Sequence, residues 1–261
     1  MSRISRVFAQ KGGAAFISYV TAGYPSMEAT LEAVPLLEKC GADMVELGIP
    51  FSDPLADGVT IQRASFHALQ AGVTPGLCLK AVRLLRPKVE LPLILMSYFN
   101  PILRYGLEEF CREAARAGAD GLIVPDLPPE EAGGLEEAAL GWGLDTIFLL
   151  APTSTDERIR LVARHSRGFI YLVSVTGVTG ARESLPPALP ELAARVREVA
   201  GQPLCAGFGI STPEQAAEVS KIADGVIVGS RLVELMGEGG DWQSKVAGFA
   251  RRVKKAIAAA T

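Results

Sequence analysis

Two carboxylates stand out by their surroundings. Glu46 sits inside the apolar run DMVELGI (43–49), and Asp57 lies eleven residues on, in the loop sequence SDPLADG. A charge among hydrophobic side chains is costly unless it is paired or protonated. Desolvation raises a carboxyl pKa toward the range useful for general acid–base work. No basic residue falls at a neighbouring run's end, so Glu46 has no evident structural counter-ion and reads as a functional group. Asp53 and Asp57 taken alone are ordinary turn residues. What favours Asp57 as a second carboxylate is its place in the loop directly above Glu46. Asp126, in VPDLPP, ends another apolar run and reads either as a substrate contact or as the cap of the following helix.

Other residue types narrow the chemistry. None of the eight lysines falls at the C-terminal end of an apolar run, which speaks against a Schiff base. His67 and His165 lie in helical segments and form no cluster with metal-ligand spacing. Proton transfer by carboxylates remains. Small residues recur late in the chain, in VSVTGVTGAR, AGFGIST and VGSR. Gly180, Gly207, Gly209, Gly229 and Ser230 could offer backbone N–H groups and a helix start to an anion, or serve only tight turns. Three successive ends of this kind favour phosphate. Tyr19, Met96, Tyr98, Tyr171 and Phe208 suggest a partly apolar pocket beside it.

The elements that must position these residues follow from patterning. Eight short β-rich apolar runs occur at 14–20, 43–49, 91–98, 121–126, 145–151, 169–174, 203–208 and 225–230. Near-continuous hydrophobicity suits parallel strands covered on both faces. Helical segments lie between them, two opening with Thr74–Pro75 and with Ser211 or Thr212 before Pro213. Eight βα units in 261 residues predict a single (β/α)8 TIM barrel over 1–261, with an extra amphipathic N-terminal helix. A doubly wound sheet is disfavoured because TAGYPS, after the first run, lacks a glycine-rich phosphate loop. With period-two alternation, Met44, Glu46 and Gly48 face the barrel interior, and Val45, Leu47 and Ile49 face the helices. Active sites of such barrels lie at the strand C-termini. The long 174–189 segment, with Gly177 and Gly180, reads as a loop closing over substrate.

Composition excludes several classes. A net charge of −3 gives no basic footprint for nucleic acid. The 91–103 stretch is interrupted by Pro92, Asn100 and Pro101 and is too short to span a bilayer. The N-terminus lacks the apolar segment of a secretory signal. Cys40, Cys78, Cys111 and Cys205 match neither a disulfide framework nor a zinc site, and read as reduced core thiols of a cytoplasmic protein.

The segment VELGIPFSDPLADG (45–58) resembles the signature of the tryptophan synthase α chain family. FISYVTAGYP, MSYFNPILRYG, VPDLP, YLVSVTGVTG, GFGIS and VIVGS extend the resemblance along essentially the whole chain, in order. The resemblance implies retro-aldol cleavage of indole-3-glycerol phosphate to indole and glyceraldehyde 3-phosphate. It implies Glu46 as the acid–base group and Asp57 as the carboxylate that holds the indole N–H. Thr179 would position Asp57, and Tyr171 would lie near the glutamate. Tyr19, Ile61, Met96, Tyr98 and Ile123 would line the substrate pocket. Gly180, Phe208, Gly209, Gly229 and Ser230 would bind phosphate. A β-chain partner in an αββα complex would face Asp53, Pro54, Asn100 and Pro101. That partner, not this chain, would carry pyridoxal phosphate. Val59 and the pair Val175, Thr176 depart from common family residues in ways that concern loop mobility and coupling to the partner. Two alternatives remain at this level. One is another phosphate-binding barrel such as an isomerase, which should lack the 45–58 segment. The other is a non-catalytic activator of a β chain, which would have no chemical need of Glu46 and Asp57.

Overall fold

A computed structural model describes residues 1–10, 12–173, 188–207 and 209–260. Nine parallel strands form one sheet: β1 (Ala15–Thr21), β2 (Met44–Gly48), β3 (Leu93–Met96), β4 (Gly121–Ile123), β5 (Asp145–Ile147), β6 (Leu149–Leu150), β7 (Ile170–Val173), β8 (Leu204–Gly207) and β9 (Gly225–Val228). Their order is β5-β4-β3-β2-β1-β9-β8-β7-β6. The two outer members are adjacent pieces of chain separated only by Phe148, so the sheet closes on itself as a barrel.

The run expected at 145–151 therefore divides in two, and the reason lies in its edges. Its first half pairs with β4 through Ile123 and Ile147, and its second half pairs with β7 through Leu149 and Tyr171. Side-chain alternation continues across the break. Ile147 and Leu149 belong to the inner hydrophobic cluster, and Phe148 and Leu150 to the outer one. Eight strand positions are thus drawn by nine segments.

Among the described residues, twelve helices surround the sheet. They are α1 (Arg3–Gln10), α2 (Met27–Lys39), α3 (Val59–Gln70), α4 (Pro75–Leu85), α5 (Phe99–Tyr105), α6 (Leu107–Ala117), α7 (Gly133–Gly141), α8 (Asp156–His165), α9 (Ala188–Arg197), α10 (Pro213–Ser220), α11 (Ser230–Gly237) and α12 (Trp242–Ala260). Expected starts are visible in their caps. Thr74 caps α4 with Pro75 in its first turn, and Thr212 caps α10 in a reciprocal box with Gln215. Helix α1 packs at the strands' N-terminal end, where Ile4 is fully buried against the inner cluster and Arg3 reaches Asp120 at 2.9 Å. Asp120 also takes Arg86 and the Leu93 N–H, so this end is a polar brace. The opposite end is left for chemistry. The four cysteines are free and buried.

Candidate active site

Strand β2 places Glu46 as the alternation requires. Met44 lies in the inner cluster, while Val45 and Leu47 lie in the outer one. In register, Glu46 stands between Tyr19 of β1 and Ile94 of β3. Glu46 is 1% exposed, and its Oε1 has no hydrogen-bond partner among the described residues. Burial alone pushes this carboxyl up to about 8. At neutral pH Glu46 is therefore a neutral acid holding a proton.

Asp57 reaches the same cavity from the loop after β2. The Asp57 N–H donates to Pro54 at 3.0 Å, and the Gln62 side chain of α3 donates to the Asp57 carbonyl at 2.9 Å. Burial raises the Asp57 carboxyl to about 6, against a lowering hydrogen bond from Tyr98. It is ionised at neutral pH. Two carboxyls thus face one cavity in opposite protonation states.

That cavity, about 50 Å³, is lined by Tyr19, Glu46, Asp57, Ile61, Met96 and Tyr171 on one side. Gly209, Ile210, Ile227, Gly229 and Ser230 complete the wall. Asp57 also borders a broader groove of about 780 Å³ that opens over Leu127, Phe148 and Val173. Burial raises the Tyr19 and Tyr171 hydroxyls well above their usual range, and the two carboxylates add to the effect.

Glycines make room for these rings. A Cβ on Gly48 would lie 2.0 Å from the Tyr19 hydroxyl, and one on Gly207 would lie 2.3 Å from the Tyr171 hydroxyl. So Gly207 needs no phosphate to explain it. The other glycines expected to face an anion are different. Helix α10 has its N-terminus occupied by Thr212 and Gln215, but α11 begins at Ser230 after Gly229, which provides no side-chain cap. Among the described residues no side chain caps its first N–H groups, and such a start, with its dipole, suits an anion. Gly209, at φ +83°, lies on the same wall in a backbone conformation that side chains rarely adopt.

Two residues expected on the substrate wall, Ile123 and Tyr98, are not on the cavity lining. Ile123 is buried in the inner cluster level with Met96 but does not line the cavity. Tyr98 lies under the 51–58 loop, where its hydroxyl accepts the Ala56 N–H at 2.9 Å. Asp126 caps a helix, but not the one that follows it: its carboxylate accepts the Phe99 N–H of α5 at 2.9 Å. Asp53 and Asn100 are exposed, and Pro54 and Pro101 partly so. The Phe51 and Tyr98 rings, 5.3 Å apart, bring these two stretches together. His67 meets the Pro25 carbonyl, and His165 meets Glu136, both away from the cavity. Thr179, Gly180, Phe208 and most of the expected closing loop lie outside the described residues. Ile210 and Ile227 were not singled out from the sequence. Ile227 could have been found by continuing the alternation along β9, two residues before Gly229.

Comparison with known proteins gives the family. Residues 6–260 match the family model described as tryptophan synthase alpha chain. The chain is 56% identical over 257 residues to the tryptophan synthase alpha chain of Dehalococcoides mccartyi, covering 98% of this chain and all of that one. It is 52% identical to that of Geobacter sp. strain M21, covering 98% of each. Among solved structures, a chain of Mycobacterium tuberculosis tryptophan synthase superposes with a TM-score of 0.92 at 41% identity, covering 98% of both. The alpha subunit from Legionella pneumophila gives 0.88 at 38% identity, covering 99% of both. With near-complete coverage in sequence and in fold, the chain belongs to the tryptophan synthase alpha chain family.

Proposed function

We propose that Glu46 and Asp57 are the two working carboxyls of the family's reaction in this chain. That reaction is the cleavage of indole-3-glycerol phosphate to indole and glyceraldehyde 3-phosphate. One observation carries the assignment: one cavity holds a carboxyl that keeps its proton at pH 7 and a second that does not. Cleavage breaks the bond between indole C3 and the first glycerol carbon. Neutral Glu46 gives its proton to C3, and its carboxylate then takes the proton of the hydroxyl on that carbon, which leaves as the aldehyde. Protonation at C3 makes the indole nitrogen positive, and ionised Asp57 accepts its N–H and offsets the charge. The indole ring lies against Ile61, Met96 and Ile227, and the phosphate takes the open start of α11 at Gly229 and Ser230, with Gly209. Tyr19 and Tyr171 flank the glutamate. The roles that the resemblance gives Thr179, Gly180 and Phe208 complete the proposal.

The family works with a β chain. Our reading is an αββα assembly whose partner carries pyridoxal phosphate and receives indole, meeting this chain at Asp53, Pro54, Asn100 and Pro101. The exposed Leu55 and the contact between the 51–58 loop and α5 support one continuous docking surface there. Four free thiols support a cytoplasmic setting, and the whole chain is taken as one barrel domain. The isomerase alternative is not favoured. The test is to incubate the purified chain with indole-3-glycerol phosphate, with and without a β chain, and to measure indole. Slow release alone and faster release with the partner are expected. No indole in either case overturns the assignment.

A further inference from the structure

We propose that Tyr98 is a positioning residue for Asp57, holding the 51–58 loop against the start of α5 so that the carboxylate faces the reaction cavity. This rests on the reading of Asp57 above and changes the part that Tyr98 plays in it, from substrate wall to support. Tyr98 immediately precedes α5 and is buried. Its ring is in contact with Phe51 at one end of the loop, at 5.3 Å between centroids. Its hydroxyl oxygen accepts the Ala56 N–H at 2.9 Å, one residue before Asp57. With that oxygen engaged as an acceptor, the hydroxyl's own proton is free to serve the Asp57 carboxylate, with which it hydrogen-bonds. Burial and the neighbouring carboxylate push the Tyr98 hydroxyl far above neutrality, so it remains a neutral donor at every working pH. The root of the arrangement is fixed in turn by Asp126, which caps the first N–H of α5.

A neutral donor to an ionised carboxylate favours the charged form. The other groups facing Asp57 are Tyr19 from β1, Glu46 from β2 and Tyr171 from β7, with Asp126 beside Tyr98. None of them is a cation. Arg158, across the groove, is held by Glu130 at 2.5 and 2.7 Å. Tyr98 is thus the described group that lowers the Asp57 carboxyl against its burial.

The test is Tyr98→Phe, which keeps the ring contact with Phe51 and removes only the hydroxyl. The chain is labelled with 13C at the aspartate carboxyl carbons, and Asp57 is assigned by its loss in Asp57→Asn. The Asp57 titration midpoint should rise by about one pH unit in Tyr98→Phe. Indole release at pH 6.5 should fall about threefold in kcat, as the ionised share of Asp57 drops when its midpoint moves from about 6 to about 7, with KM within about twofold. An unmoved midpoint overturns the proposal. So does a raised KM with unchanged kcat, which is what a mere wall residue would give. Should Tyr98→Phe not fold, Phe51→Leu loosens the same ring with the hydroxyl in place and carries the same expectation for the midpoint. A shifted midpoint in a chain that releases no indole would uphold the link to Tyr98 while overturning the reaction assigned to the site.

Discussion

Replacing Glu46 by Gln should disable the protein, and the variant's stability relative to wild type should rise with pH in a defined way. In the unfolded chain this carboxyl titrates at its ordinary 4.5, and in the folded barrel burial holds it at about 8. A carboxyl whose folded pKa is raised costs nothing below pH 4.5, where both states are protonated. Between 4.5 and about 8 the unfolded state loses its proton while the folded state keeps it, so wild-type stability falls as pH rises. At about 1.36 kcal/mol per pKa unit the cost is about 3 kcal/mol at pH 7 and about 5 kcal/mol above pH 8. Gln carries no such linkage. It brings its own penalty, since Oε1 already lacks a partner and an unpaired buried amide costs about 1–3 kcal/mol. That penalty does not change with pH. The readout is therefore the difference between variant and wild type in thermal melts at pH 5 and pH 7.5. For a chain of this size about 2–4 °C accompanies each kcal/mol, so the difference should move in favour of Gln by roughly 5–10 °C across that interval. A difference that stays constant with pH would refute the reasoning, because it would mean that the folded state holds Glu46 ionised.

Two other substitutions probe the cavity's walls. Gly48→Ala places a methyl 2.0 Å from the Tyr19 hydroxyl and 2.6 Å from its Cζ, so the ring must move. We expect a loss of about 1–3 kcal/mol in denaturant melts, with part of it recovered when Tyr19→Phe is added, and strictly additive losses would count against the contact. Gly209→Asp sets a carboxylate on the wall assigned to the phosphate. Its main effect should be a KM for indole-3-glycerol phosphate raised at least tenfold, and an unchanged KM would remove Gly209 from that end of the site.

Much of this was legible in the residues because barrel strands obey simple rules. The alternation at 43–49 places Glu46 inside and Val45 and Leu47 outside without any tertiary information. The caps at Thr74 and Thr212 are likewise local chemistry. What could not be read required contacts between distant segments. Asp126 lies 27 positions from the N–H that it caps, and nothing in VPDLPP points backward to α5. Tyr98 and Ala56 are 42 residues apart, so the hydroxyl's engagement by the loop was hidden and Tyr98 read as pocket wall. Gly48 and Gly207 each face a tyrosine of a neighbouring strand. The choice between anion site and tight turn for Gly207 resolves only once the strand register is known. The division of the fifth run at Phe148 has the same origin, since a strand that changes partner keeps its hydrophobic pattern. The 45–58 segment was different in kind, because its resemblance to a family carried functional information that patterning lacks.

The central claim is that Glu46 supplies and recovers the proton of carbon–carbon cleavage. The most direct test is single-turnover indole release from indole-3-glycerol phosphate at pH 7, in the presence of a β chain, for the wild-type chain and for Glu46→Gln. A loss of at least about a hundredfold, the lower range for a positioned acid–base group, is predicted while the variant remains folded. A folded Glu46→Gln chain that releases indole within a few-fold of wild type would contradict it.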